Sequence, residues 1–277
     1  MAERAMQRVA PRHLSDHLLA QGRPIVSLAE VADLTGLSPK AAADALVRLR
    51  RGHQMFSPHR GLYAAVPAQY RTWGVLPALD FIDAMMGAMG RQYYVALLSA
   101  AELHGAAHQR PQVFQVMVDR GVADREFERV RLRFYTRRHL PEVPTAPRNT
   151  ATGQARVATP AATLLDLASR PNDAGGLSNV ATVVAELVEE TNVAANELLA
   201  ACTAYPVASM RRLGWLLERL QGEAATRTLA DALANALADA GQSPHRPAVL
   251  LDPAGLRRGL GSRRWGVVEN TDVDPDL

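Results

Sequence analysis

The apolar positions of the first 65 residues recur at helical spacing three times and then give way to short extended runs. Leu14, Leu18 and Leu19 make a first amphipathic helix, closed by Gly22 and Pro24. Leu28, Val31, Ala32 and Leu34 make a second. Ser27 opens it with Glu30 three residues on, the pattern of a capping box, and Thr35-Gly36-Leu37 stops it. Ser38 followed by Pro39 is another cap with proline at the first helical position, and it opens a third helix from Ala41 to Arg51 that stops at Gly52. The short glycine-bearing turn between these two helices has helix-turn-helix spacing. Gln54-Met55-Phe56 and Gly61-Leu62-Tyr63 then read as two strands around Ser57-Pro58-His59-Arg60, which predicts a wing.

The third helix is two-faced. Ala42, Ala45, Leu46 and Leu49 share one side, at offsets of three, four and seven. Lys40, Asp44, Arg48 and Arg51 share the other, a polar face suited either to a DNA major groove or to solvent. The wing tip, His59 and Arg60, is placed to meet a minor groove or the phosphate backbone, although turn tips are polar in any case.

From Val66-Pro67 to Pro77 the chain is proline-spaced and loses its period, which marks a domain boundary. Beyond it the pattern predicts a helix over Pro77 to Met89, another over Leu97 to Ala107 and a buried strand over Val113 to Val118. Val130 to Tyr135 alternates, with Val130, Leu132 and Phe134 inward and Arg131, Arg133 and Tyr135 outward. Arg156-Val157-Ala158 adds a strand before Thr159-Pro160 caps a helix ending near Ser169. Three or four more helices fill Asn179 to Ala240, and Pro247 to Leu251 reads as a late strand. The expected fold class is α+β: a winged helix-turn-helix domain over residues 1–72 and a larger, helix-rich mixed α/β domain over 77–277.

Charge sharpens this division. Residues 1–70 carry a net +4, residues 71–160 another +4, and residues 161–277 a net −5. A basic first half suggests a polyanionic partner. Arginine supplies 30 of the 31 basic side chains, however, and together with the abundant alanine this is what a high-GC bacterial genome produces. No window approaches eighteen apolar residues, and the N-terminus is charged where a signal peptide needs an apolar core, so the expectation is a cytoplasmic protein without membrane contact. Six arginines crowd residues 125–138, and Arg129, Arg131, Arg133, Arg137 and Arg138 make a candidate surface for nucleic acid or an acidic partner. Pairing with Glu126 and Glu128 accounts equally well for them.

Catalytic chemistry is sparse. Glu102, His104 and His108 share one helix, but the glutamate falls outside the H-E-x-x-H pattern and no third ligand is at hand. Cys202 has no partner cysteine and sits in an apolar helix, where a buried structural thiol is expected. No nucleotide loop or nucleophile elbow is present. Arg257 to Arg264 forms a basic, glycine-bearing loop, read either as a phosphate site or as a solvated loop anchored by Trp265. Neither catalytic residues nor a metal or cofactor is expected.

Against these residues, nearly the whole chain resembles the antitoxin component, the AbiEi family, of AbiE-type bacterial toxin–antitoxin and abortive-infection systems. The resemblance rests on the winged helix with Gly61-Leu62-Tyr63, the stretch from Tyr93-Tyr94-Val95 to Leu103-His104-Gly105, and Pro111 to Val116. Thr159-Pro160-Ala161-Ala162 through Leu167 and the tail Trp265 to Asn270 complete it. It implies a non-enzymatic, phage-defence protein whose first domain binds inverted repeats in its own promoter and represses it. The second domain would counteract a nucleotidyltransferase-like toxin encoded next to it, in a type IV-like system. Carried over by position, the DNA-reading helix is Ser38 to Arg51 and the wing Met55 to Tyr63, with Ser38, Lys40, Ala41, Asp44, Arg48, Arg51, His59 and Arg60 as contacts. The arginine strand is the candidate toxin-countering surface. Two rival readings stay open. A ligand-responsive winged-helix transcription factor predicts a closed apolar pocket in the second domain. An enzyme with a DNA-targeting module predicts clustered carboxylates or histidines in a cleft.

Overall fold

The computed structural model describes residues 8–106, 111–220, 224–242 and 249–275. It begins with helix α1 (Leu14–Ala20), strand β1 (Ile25–Ser27), α2 (Leu28–Thr35) and α3 (Pro39–Arg51), followed by the hairpin β2 (Met55–His59) and β3 (Leu62–Ala65). The capping box forms as the spacing dictates. Ser27 Oγ accepts from the Glu30 amide at 3.2 Å, while Glu30 Oε2 accepts from the Ser27 amide at 2.7 Å. These bonds, with the guanidinium of Arg23, hold the Glu30 carboxyl below its ordinary value. Removing the hydroxyl with Ser27→Ala is expected to cost about 1 kcal/mol, read as a lowered urea midpoint with unchanged slope. Gly36 ends α2 in the left-handed region at φ 67°, where a side chain would be strained. Leu14, Leu18, Val26, Val31, Ala42, Leu46, Leu49 and Met55 close the core beneath α3.

Two details of this region differ from the sequence expectation. Ile25–Ser27 pairs antiparallel with β3, making a three-stranded sheet in the order β1-β3-β2. A three-residue strand is too short to show alternation. The second strand also runs through Ser57 and Pro58 to His59, with a bulge between Phe56 and His59, so the turn is confined to Arg60 and Gly61. A bulge is one of the few places where a sheet tolerates proline.

The chain continues with α4 (Ala78–Ala88), β4 (Tyr93–Val95), α5 (Leu97–Leu103), β5 (Phe114–Val118), β6 (Arg125–Phe127), β7 (Val130–Thr136), β8 (Thr145–Thr150) and β9 (Gly153–Ala158). The sheet order is β6-β7-β5-β4-β9-β8, with β4 and β9 parallel and β6 and β7 an antiparallel hairpin. The fifth helix stops at Leu103 rather than near Ala107, and Gly105 follows in the left-handed region at φ 92°.

Next come α6 (Pro160–Ser169), α7 (Leu177–Thr191), α8 (Ala195–Cys202), α9 (Val207–Arg219) and α10 (Ala224–Asp239). The tail adds β10 (Val249–Leu250), β11 (Leu260–Gly261) and β12 (Val267–Glu269), a small sheet in the order β10-β12-β11. Pro247 and Ala248, expected in the late strand, lie outside the described residues. Every residue from Ala161 to Ala168 is buried, which makes α6 the central helix of its surroundings. The fold is thus mixed α/β, with a winged helix at one end of the sequence and a helix-rich remainder.

By contacts the chain divides into two compact units. The first holds residues 1–93, 120–134 and 147–156; the second holds 94–119, 135–146 and 157–277. Unit one is more than a winged helix. Phe56 of β2, Phe81 of α4 and Phe127 of β6 meet edge-to-face with ring centroids 5.0–6.0 Å apart, a geometry that adds to the burial of the rings. Among the described residues no helix is long and apolar enough to cross a membrane.

Candidate nucleic-acid interface

Helix α3 presents the chemistry of the first unit. Ser38 caps it, its Oγ accepting from the Ala41 amide at 3.3 Å, and Pro39 takes the first helical position. Ala42, Ala45, Leu46 and Leu49 are buried. Lys40, Asp44, Arg48 and Arg51 are exposed, and Ala41 is half-buried beside them. Arg60 is exposed at the wing tip next to a half-buried His59, whose Nδ1 lies 3.1 Å from the Arg60 carbonyl. Two further residues of this helix are exposed that the polar pattern does not include, Arg50 and Val47, the latter 45% exposed. Val47 is apolar in type but outward in its angular position on the helix.

The arginines of residues 125–138 separate into two kinds. Arg129, Arg131, Arg133 and Arg138 are exposed. Arg131 pairs with Glu126 at 3.1 Å and Arg133 with Asp124 at 3.6 Å, on a solvated surface where such pairs contribute little. Arg137 does not belong with them. Its side chain is only 14% exposed and reaches inward, 3.2 Å from the carboxylate of Asp166. Its second amino group donates to the Ala204 carbonyl at 2.6 Å, and its guanidinium lies 4.0 Å from the centroid of the Tyr205 ring. Tyr135, expected outward, is buried as well, with its hydroxyl accepting from the Gln115 amide at 3.2 Å. The alternation of β7 holds as far as Phe134, where the strand leaves the first unit and its opposite face becomes covered.

Asp166 is the centre of the second unit's polar interior. Fully buried on α6, it accepts through Oδ1 from Tyr94 at 3.2 Å, Tyr205 at 2.9 Å and Arg137. Burial pushes its carboxyl up to about 6, against the lowering pull of Arg137 and the two hydroxyls. Gln115 is a second buried polar group, bonded to the Leu98 amide and the Asp173 carbonyl. Isolated Asp and Gln letters within apolar runs were the only sequence signal for either.

The remaining candidates are structural in their surroundings. His104 Nε2 lies 2.8 Å from the Ala158 carbonyl, and His108 falls outside the described residues. Among the described residues, no group of three or more His, Cys, Asp or Glu side chains is placed to hold a metal. Cys202 is buried, which pushes its thiol up to about 11. In the basic loop, Arg264 is committed to Glu218 at 2.7 Å and Asp231 at 2.5 Å.

The mixed α/β fold of the chain has a likeness among solved structures. The chain superposes on the crystal structure of the Rv2827c protein from Mycobacterium tuberculosis with a TM-score of 0.64, covering 93% of this chain and 90% of that one at 17% identity. At that identity the likeness is one of fold. Residues 94–219 match the family model described as the AbiEi antitoxin C-terminal domain. This stretch begins at Tyr94, where the second unit begins, and it contains all four members of the Asp166 cluster. No curated protein matches the chain.

Proposed function

We propose that this protein is a non-enzymatic antitoxin that also binds duplex DNA through α3 and the wing and represses its own promoter. In the same reading it counteracts a nucleotidyltransferase-like toxin. The antitoxin part is supported by the family match of residues 94–219, since an antitoxin domain implies a toxin partner. The DNA-binding part is carried by one observation: α3 sits second in a helix-turn-helix, capped by Ser38, and turns Lys40, Asp44, Arg48 and Arg51 away from the core. A helix so placed enters a major groove with cations available for guanine edges and phosphates. Operation at inverted repeats follows from the resemblance. For toxin contact, the reading keeps the exposed Arg129, Arg131, Arg133 and Arg138 and drops Arg137, whose charge is spent on Asp166.

The test is binding of the full chain to the duplex upstream of its own gene, followed by fluorescence anisotropy over a salt series. The K40A/R48A/R51A variant should bind at least ten-fold more weakly, and each lost phosphate contact should lower the salt slope by about 0.9. Equal affinity and equal slope for the two proteins would remove α3 from the interface.

A further inference from the structure

The outward face of α3 is not uniformly polar. The buried stripe of Ala42, Ala45, Leu46 and Leu49 fixes the opposite pole of the helix. At roughly 100° per residue, Val47 lies within about 20° of Lys40 and about 40° of Arg51, close to that outward pole. It is 45% exposed, and it is one of four exposed large apolar side chains among the described residues. Val47 thus stands among charged neighbours on the outward face, although valine carries below-average helix propensity. Asp44, one turn earlier on the same face, is exposed as well. A carboxylate there is repelled by phosphate but accepts from the amino groups of cytosine or adenine in the major groove. The face therefore carries cations at Lys40, Arg48 and Arg51, with a base-type acceptor, Asp44, and an apolar group, Val47, set among them.

We infer that Val47 is a specificity-determining residue of the DNA-reading helix, packing its methyl groups against the 5-methyl of a thymine. The major groove offers one apolar feature, that methyl, and a short aliphatic side chain at the centre of the reading face is its complement. This inference rests on the DNA-binding reading above and deepens it, because it assigns an A·T pair to the middle of the contacted half-site. Lys40 and Arg51 then supply the flanking backbone or guanine contacts, and Asp44 excludes phosphate from the centre.

The experiment compares duplexes of the native upstream region made with thymine and with deoxyuridine, which lacks only the methyl, one strand at a time. Full-length wild-type protein should bind a deoxyuridine duplex about three- to five-fold more weakly, the range expected for one buried methyl contact. Val47→Ala should bind the thymine duplex with a similar loss and no longer distinguish the two. Val47→Thr keeps one methyl and should restore part of the preference. The exposed position, and the better helix propensity of alanine, leave folding unaffected. An equal thymine-to-deoxyuridine ratio for wild type and Val47→Ala, with binding otherwise intact, overturns the inference and leaves the DNA reading standing. Absence of binding by wild type to either duplex at low salt overturns both. Val47 also borders a cleft of about 490 Å³ with Arg50, Arg51, Phe127 and Glu128. If its role is to line that cleft for a small ligand, Val47→Ala will leave both duplex affinities unchanged, and the inference falls.

Discussion

Arg137→Met is expected to lower the stability of the second unit by about 3–5 kcal/mol at neutral pH, because it strands a wholly buried carboxylate. Asp166 would keep two tyrosine hydroxyls on Oδ1 and lose its bond to the Arg137 guanidinium. Leaving one charge of a buried pair uncompensated costs far more than the pair contributes when whole. The double change R137M/D166L, which removes both charges, should therefore recover most of the loss. Urea unfolding followed through the buried Trp215 and Trp265 reports on the right unit. The same cluster sets a pH dependence of definite sign. Asp166 titrates near 6 when folded against an ordinary 3.8, so the folded state holds the proton more tightly. Its contribution is then fully present below about pH 4 and is lost as pH rises through 6. At about 1.4 kcal/mol per pH step the difference is about 3 kcal/mol. Wild type should gain that much relative to Asp166→Asn between pH 7 and pH 4, since asparagine does not titrate. A pH-independent difference would mean that Asp166 is ionised throughout.

Gly214→Ala should be nearly as damaging for a purely steric reason. A Cβ at this position of α9 would stand 2.0 Å from Cζ3 of Trp265, inside the ring rather than against it. The indole is fully buried and donates from Nε1 to Glu218 at 2.5 Å, so it has no easy retreat. Trp265→Ala is expected to cost about 3–5 kcal/mol through the cavity it leaves, and Gly214→Ala a comparable amount if the ring is expelled. The double variant should cost much less than the sum of the two, because the new methyl occupies space the ring has vacated. Additive losses in urea unfolding would show that the two sites do not share one cavity. The pairing also explains why a helix interior keeps a glycine at a propensity cost of about 1 kcal/mol.

Where local chemistry dictates structure, the sequence was sufficient. Ser27 and Glu30, Ser38 and Pro39, and Thr159 and Pro160 open three helices at the expected residues, each by capping bonds within four positions. Polar edge strands were harder to see. Thr145–Thr150 is mostly exposed and contains Pro147, and Arg125–Phe127 is two-thirds charged, so neither has an apolar alternation to read. The candidate interface was legible as a charged face but not at Val47, because residue type outweighed angular position. Arg137 shows the reverse failure. Six neighbouring arginines look alike in one dimension, and what singles one out is Asp166, 29 residues away on another element. No periodicity encodes such a pairing.

The chain passes between its two units five times, at residues 93/94, 119/120, 134/135, 146/147 and 156/157. Interleaving of this kind resists modular reuse. A recombination or proteolytic event in the proline-spaced stretch near residue 77, inside unit one, would carry Phe56 away from Phe81 and Phe127 and split the aromatic trio. Such a cut releases two incomplete pieces. Gene fusions and processing proteases that act on beads-on-a-string proteins therefore have no clean site in the middle of this one. Inheritance, turnover and loss should act on the protein as a single heritable block.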